Sequence, residues 1–226
     1  MKLTIPNQED ITVEQYQLIE KCYIDNGDND FSDKFLIKTI FGLSFEQIDS
    51  VKQSKLTELI TSLRTVINED TKLCTTFILD GVNYGFIPNL DEITVGEYAD
   101  LEKYLGSSED YNKALAVLFR PVVKSFGKKY TISEYKGTGE TAEIMKRAPF
   151  KVLKGALVFF CDLERELLGA MTAFITKKTK AMERESARLM SKSSLKDGAG
   201  LQRLSDYLAE ITLESKKLQS SAFMKH

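Results

Sequence analysis

The sequence predicts a mainly α-helical protein of the α+β class: a compact helical body with one or two β-hairpins, then a long helical C-terminal arm. Three observations lead there. Capped helix starts followed by apolar residues at helical spacing recur along the chain. That period is broken by β-prone residues on both sides of Asp80-Gly81. Charge also divides the 226 residues: from Lys177 onward there are 11 basic and 6 acidic residues, net +5, and the remainder has 20 and 27, net -7. The expected organisation is a helical subdomain over 1–70, a hairpin-plus-helix core over 71–176 packing with it as one body, and a basic helical arm over 177–226.

The first helix is announced by Thr12-Val13-Glu14-Gln15, a capping box in which the Thr hydroxyl and the Gln side chain satisfy orphan N–H groups reciprocally. Ile11 and Tyr16 stand at the staple positions, and Tyr16, Ile19, Tyr23 and Ile24 continue the stripe. Asp25 to Asp30 is read as a polar loop. Its Asp and Asn invite a calcium reading, but neither the register from Asp25 nor that from Asp28 puts Gly at loop position 6 and Glu at position 12.

Ser32 is expected to cap a second helix through Phe35, Leu36, Ile40 and Phe41, closed by Gly42. Ser44-Phe45-Glu46-Gln47 opens a third, and Leu56, Leu59, Ile60, Leu63 and Ile67 mark a fourth. Two short helices joined through Gly42 could imitate a helix-turn-helix. The second offers Glu46, Gln47, Asp49 and Lys52, which does not suit a phosphate backbone.

Asp80-Gly81 lies between Thr75–Leu79 and Val82–Phe86, the pattern of a type I′ hairpin, because that turn needs positive φ at both central residues. Ile93-Thr94-Val95-Gly96-Glu97-Tyr98 then repeats Ile11-Thr12-Val13-Glu14-Gln15-Tyr16 at the same offsets. It starts a helix broken by Gly106-Ser107-Ser108. Tyr111 to Phe119 is the next helix, and Arg120-Pro121 stops it. Val122-Val123 and Tyr130-Thr131-Ile132 suggest a second hairpin around Gly127. Gly137-Thr138-Gly139-Glu140-Thr141 resembles a phosphate loop only superficially, lacking its Gly-Lys-Ser/Thr ending. Thr138 or Thr141 is better placed as a helix cap.

From Pro149 a helical stripe runs through Val152, Leu153, Ala156, Leu157, Phe160, Leu163, Leu167, Leu168, Met171 and Phe174. After Thr176 it thins to Met182, Leu189 and Met190 among Lys177, Lys178, Lys180, Arg184 and Arg188. A helix from Phe150 to Met190 is about 60 Å long, against about 40 Å for a compact body of this size, so it either projects or bends near Gly169 or Thr176. Ser191 to Gly200 reads as a linker. Leu201, Leu204, Leu208, Ile211 and Leu218 form a last amphipathic stripe.

Composition excludes several chemistries. The single histidine, His226, is the last residue, which leaves no Ser-His-Asp, Cys-His or histidine-zinc arrangement. Cys22, Cys74 and Cys161 are odd in number, lack a CxxC spacing and are read as small buried hydrophobes of a protein made in a reducing compartment. The N-terminus has no signal-peptide core. Gly155 to Cys161 is too short to span a bilayer and is read as the buried part of a core helix. No catalytic group, metal or cofactor is expected. Carboxylates such as Glu97, Glu102, Asp162, Glu164 and Glu166 have no spacing that singles one out.

Three stretches carry a resemblance: Phe86-Ile87-Pro88-Asn89-Leu90-Asp91-Glu92-Ile93-Thr94-Val95-Gly96-Glu97-Tyr98, Ala114-Leu115-Ala116-Val117-Leu118-Phe119-Arg120-Pro121, and Lys151 to Phe160. With the opening Ile5-Pro6 before a capped helix, they resemble a family of structural-module proteins of tailed bacteriophages of Bacteroidetes, crAss-like phages among them. The resemblance covers Ile5 to Leu168 and brings no catalytic residues. It implies a non-catalytic virion or assembly protein of the tail or head-to-tail neck, such as a ring or connector subunit, made in the host cytoplasm and carried in the virion. The alternatives are a tail-assembly chaperone for the tape-measure protein, absent from the mature virion, and a small helix-turn-helix DNA-binding protein. Expected partners are other copies of the chain and other phage structural proteins, with no small-molecule substrate and no membrane. The expected contact residues are Leu201, Leu204, Leu208 and Ile211, with Lys177, Lys178, Lys180, Arg184 and Arg188. Nucleic acid is not an expected partner, the basic arm being the one place where it could bind.

Overall fold

A computed structural model describes residues 3–127 and 129–192. It divides into two compact units, Met1–Phe159 and Phe160–His226.

Four helices open the first unit: α1 (Val13–Asn26), α2 (Asp30–Phe41), α3 (Phe45–Asp49) and α4 (Gln53–Asn68). The capping boxes at Thr12 and Ser44 both form. Gly42 closes α2 in the left-handed region. The cap of α2 is Asn29, not Ser32. Its side chain accepts from the Ser32 N–H at 3.0 Å, and the Ser32 hydroxyl donates back to the Gly27 carbonyl at 2.7 Å. An Asn at the tight end of a polar loop reaches the free N–H groups one turn earlier than the reading of the sequence allowed. Arg64 of α4 occupies the acidic loop, holding both Asp28 and Asp33. Helix α3 has five residues, and Asp49 at its end pairs with Lys34 of α2 at 2.8 Å. Lys52 lies beyond it, at the start of α4. Ile19, Leu36, Ile37, Leu43, Ile48, Leu56, Leu59 and Leu63 make one continuous core among these helices.

The two expected hairpins are parts of one antiparallel sheet of order β1-β2-β3-β4, built from β1 (Thr76–Leu79), β2 (Val82–Phe86), β3 (Phe119–Phe126) and β4 (Lys129–Ile132). Asp80 at φ 50° and Gly81 at φ 79° form the turn. Strand β3 begins at Phe119, three residues before the predicted Val122, so Arg120-Pro121 ends a helix and also lies within a strand. Proline is tolerated there because β3 changes partner at that point. Phe119 to Pro121 face β2, and pairing with β4 starts at Val122 with a register shift. The Pro121 carbonyl accepts from Ser133 N–H at 2.9 Å.

Helices α5 (Val95–Leu105) and α7 (Gly139–Met145) both pack on α6 (Tyr111–Leu118), which leads directly into β3. Thr138 stands at the cap position of α7 without a side-chain capping bond. The segment after α7 runs back along the start of α1. Ala148 C=O accepts from Val13 N–H, Lys146 C=O from Glu14 N–H, and Phe150 N–H donates to Ile11 C=O, at 2.7 to 2.9 Å. Tyr16 stacks on Phe150 with ring centroids 4.3 Å apart.

Helix α8 (Phe150–Lys192) is unbroken through Gly169 and Thr176. Its first turns bury Phe150, Val152, Leu153 and Ala156 in the first unit, where Phe86, Phe119 and Phe159 meet edge to face. Gly155 is required there: a Cβ at this position would lie 2.6 Å from the Lys72 carbonyl oxygen.

Candidate interaction surface

From Phe160 onward, α8 is rich in strong helix formers and buries none of its described side chains. The sequence reading takes Gly155 to Cys161 as the buried part of a core helix, whereas the last buried residue is Ala156. Leu163, Leu168, Met171, Phe174 and Met182 are all exposed. Cys161, expected in a core, is exposed as well, because it lies past the last buried turn. Partial burial pushes its thiol up from the ordinary value, with Glu164 adding to the shift. Thr172, Thr176 and Thr179 turn their hydroxyls onto the carbonyls four residues back, at 2.8 to 2.9 Å. Their polar atoms are thus satisfied within the helix.

The predicted contact cations do not form one cluster. Lys177, Lys180 and Arg184, at spacings i, i+3 and i+7, share a face with Gly169 and Ala173. Lys178 lies on the other side, among the exposed apolar residues, its ammonium 5.4 Å from the centre of the Phe174 ring. Arg188 belongs to α8, but its side chain is outside the described residues. Leu201, Leu204, Leu208 and Ile211 also lie outside the described residues.

The first unit holds an ion pair that sequence reasoning did not isolate. Glu97, at the third position of α5, receives Thr94 N–H on one oxygen at 2.7 Å and pairs with Arg120 of β3 through the other, also at 2.7 Å. Arg120 lies over the Tyr135 ring, and Tyr135 O–H donates to Asp100. Burial pushes the Glu97 carboxyl up, but the two Thr94 donors and the Arg120 charge outweigh it and hold it below its ordinary value. Burial and the Asp100 carboxylate push the Tyr135 phenol up. The only signals in the sequence are an arginine before a proline in an apolar run and a glutamate at a capping-box position.

Glu97 and Arg120 neutralise each other and tie α5 to β3, while Asp100 is held by the Tyr135 hydroxyl and the buried Arg120 Nε has no hydrogen-bond partner among the described residues. Among the described residues no group of three or more His, Cys, Asp or Glu is placed to hold a metal ion. No described helix is long and apolar enough to cross a membrane. No family model, curated protein or solved structure matches the chain.

Proposed function

We propose that the chain is a non-catalytic structural or assembly protein of a tailed bacteriophage, acting in the tail or head-to-tail neck through protein–protein contacts. One observation carries the interaction part of this reading: the described part of α8 beyond Phe159 is amphipathic yet buries no side chain, leaving Leu168, Met171 and Phe174 on its surface. Large apolar residues grouped on one exposed helix are a usual mark of a protein-contact surface. The phage part rests on the resemblance over Ile5 to Leu168. A ring or connector subunit uses such a helix to grip its neighbours permanently.

The test is mass spectrometry of purified virions of the phage that encodes the chain. Recovery at a stoichiometry of several copies per particle is the expected result. Presence in infected cells with absence from virions identifies the chaperone role instead. Salt-dependent binding to duplex DNA, with no virion association, would favour the regulator.

A further inference from the structure

We infer that the second unit self-associates, with α8 packing antiparallel against α8 of a second copy about a two-fold axis at Met171. Three features of this helix support that occupant.

The first is period. Cys161, Leu168, Ile175 and Met182 recur every seven residues, and Glu164, Met171 and Lys178 form a second seven-residue column beside them. A straight α-helix drifts away from a strict seven-residue repeat. Such a repeat stays on one face only when two helices coil around each other, so the fitting partner is a helix rather than a sheet or loop.

The second is symmetry of the stripe about Met171. In an antiparallel pair each residue meets the one equally far beyond the centre. Met171 then meets its own counterpart in the seam, while Leu168 lies level with Phe174 of the second copy and Cys161 with Ala181, both partners flanking the seam columns. Glu164 meets Lys178. A parallel pair would instead set Glu164 against Glu164 and Lys178 against Lys178. Neither residue has an oppositely charged partner in its own chain among the described residues.

The third is the charge gradient along the helix. Asp162, Glu164 and Glu166 outnumber Arg165 at one end, net -2, and Lys177, Lys178, Lys180 and Arg184 outnumber Glu183 at the other, net +3. Antiparallel packing aligns the acidic end of each helix with the basic end of its partner, on the flanks as well as in the seam. The overlap spans three heptads, about 31 Å of helix. The charged positions within the seam fix register and orientation, because a parallel alignment places like charges together. This pairing goes beyond the virion reading and does not depend on it. Virion composition tests that reading, and solution association tests this one.

Sedimentation equilibrium of the full chain at about 1 to 100 μM, with charge-reversal variants, tests it. The unaltered chain is expected to be dimeric. Glu164→Lys and Lys178→Glu should each weaken the dimer about tenfold or more, and the double variant should recover most of that loss. Both positions are exposed, and circular dichroism checks that each variant keeps its helix content. Orientation is read by mild oxidation in a Cys74→Ser background. After Ala181→Cys, a disulfide between the introduced thiol of one copy and Cys161 of the other is expected. Before that substitution, no crosslink between two Cys161 thiols is expected. A chain that stays monomeric at 100 μM overturns the proposal; that outcome includes residues 193–226 of the same chain covering the stripe. So does a dimer indifferent to Glu164→Lys, or one crosslinked through two Cys161 thiols.

Discussion

The chain uses nearly the same six residues twice, Ile11 to Tyr16 and Ile93 to Tyr98, and the two copies end in opposite surroundings. Both make the full capping box. At α1, Val13 is 0% exposed, and the Lys146–Phe150 segment lies over the helix start. At α5, the equivalent Val95 is 87% exposed and Tyr98 is 59% exposed. The third helical residue links each start to a different neighbour. Gln15 Nε2 donates to Thr39 C=O at 3.1 Å, in α2, whereas Glu97 pairs with Arg120 in β3. A capping box is a local exchange between a hydroxyl, a side-chain carbonyl or carboxylate and two N–H groups, so it forms wherever the sequence places it. Burial of the flanking valine requires a segment from far along the chain, and only one copy receives one.

The comparison breaks most sharply at the valines. Val13→Asp puts an unpaired carboxylate into a closed site and should cost about 4 kcal/mol or more, read as loss of a cooperative urea or thermal transition. Arg120→Met comes next. It strands Glu97 in a nearly closed site and should cost about 3 kcal/mol, where Gln15→Met, which removes a neutral partner, should cost about 1 kcal/mol. Equal losses from the two would show that the Glu97 pair is no more than a second neutral strut.

Thr12→Ala and Thr94→Ala should behave alike, each costing about 1 kcal/mol, because both hydroxyls satisfy one orphan N–H. A twofold difference between them would show that the cap is not separable from its surroundings.

Acid should then tell the two starts apart. The folded Glu97 carboxyl titrates below its ordinary value, so its contribution is present above the unfolded value near pH 4.5 and fades as pH falls through the depressed folded one. Gln15 does not titrate. Stability followed from about pH 6 to pH 3 should fall less steeply in Glu97→Gln than in the unaltered chain, and parallel curves would remove Glu97 from the acid response. The smallest effect belongs to Val95→Asp. At an exposed first-turn position, where a negative charge also suits the helix dipole, it should change stability by no more than about 0.5 kcal/mol.

What could be read from the sequence is what short-range chemistry settles. The capping boxes at Thr12, Ser44 and Thr94, the Asp80-Gly81 turn, the Gly42 stop and the long helix from Phe150 each depend on residues within a few positions of one another. Their geometry follows from hydrogen-bond reach and allowed φ. The Ser32 reading failed within that same range, because Asn29 competed for the same N–H group and had the better position. The fusion of two hairpins into one sheet was not legible. It depends on Pro121 lying where β3 exchanges one neighbour for another, and nothing within that strand records which neighbours are present.

The contact surface divides in the same way. Periodicity placed Leu163, Leu168, Met171 and Phe174 on a helix, and there the sequence was sufficient. It could not say which of them are covered, because apolar spacing is the same whether a face is packed or open to another surface. The tertiary structure ended full burial at Ala156, one residue after Gly155, which lets α8 approach the backbone at Lys72, and left the next turn half-buried with Phe159 against Phe86. Local hydrogen bonds and φ preferences are carried by the residues themselves. Burial and ion pairing such as Glu97 with Arg120 belong to pairs of residues distant in sequence, so only the folded chain could decide them.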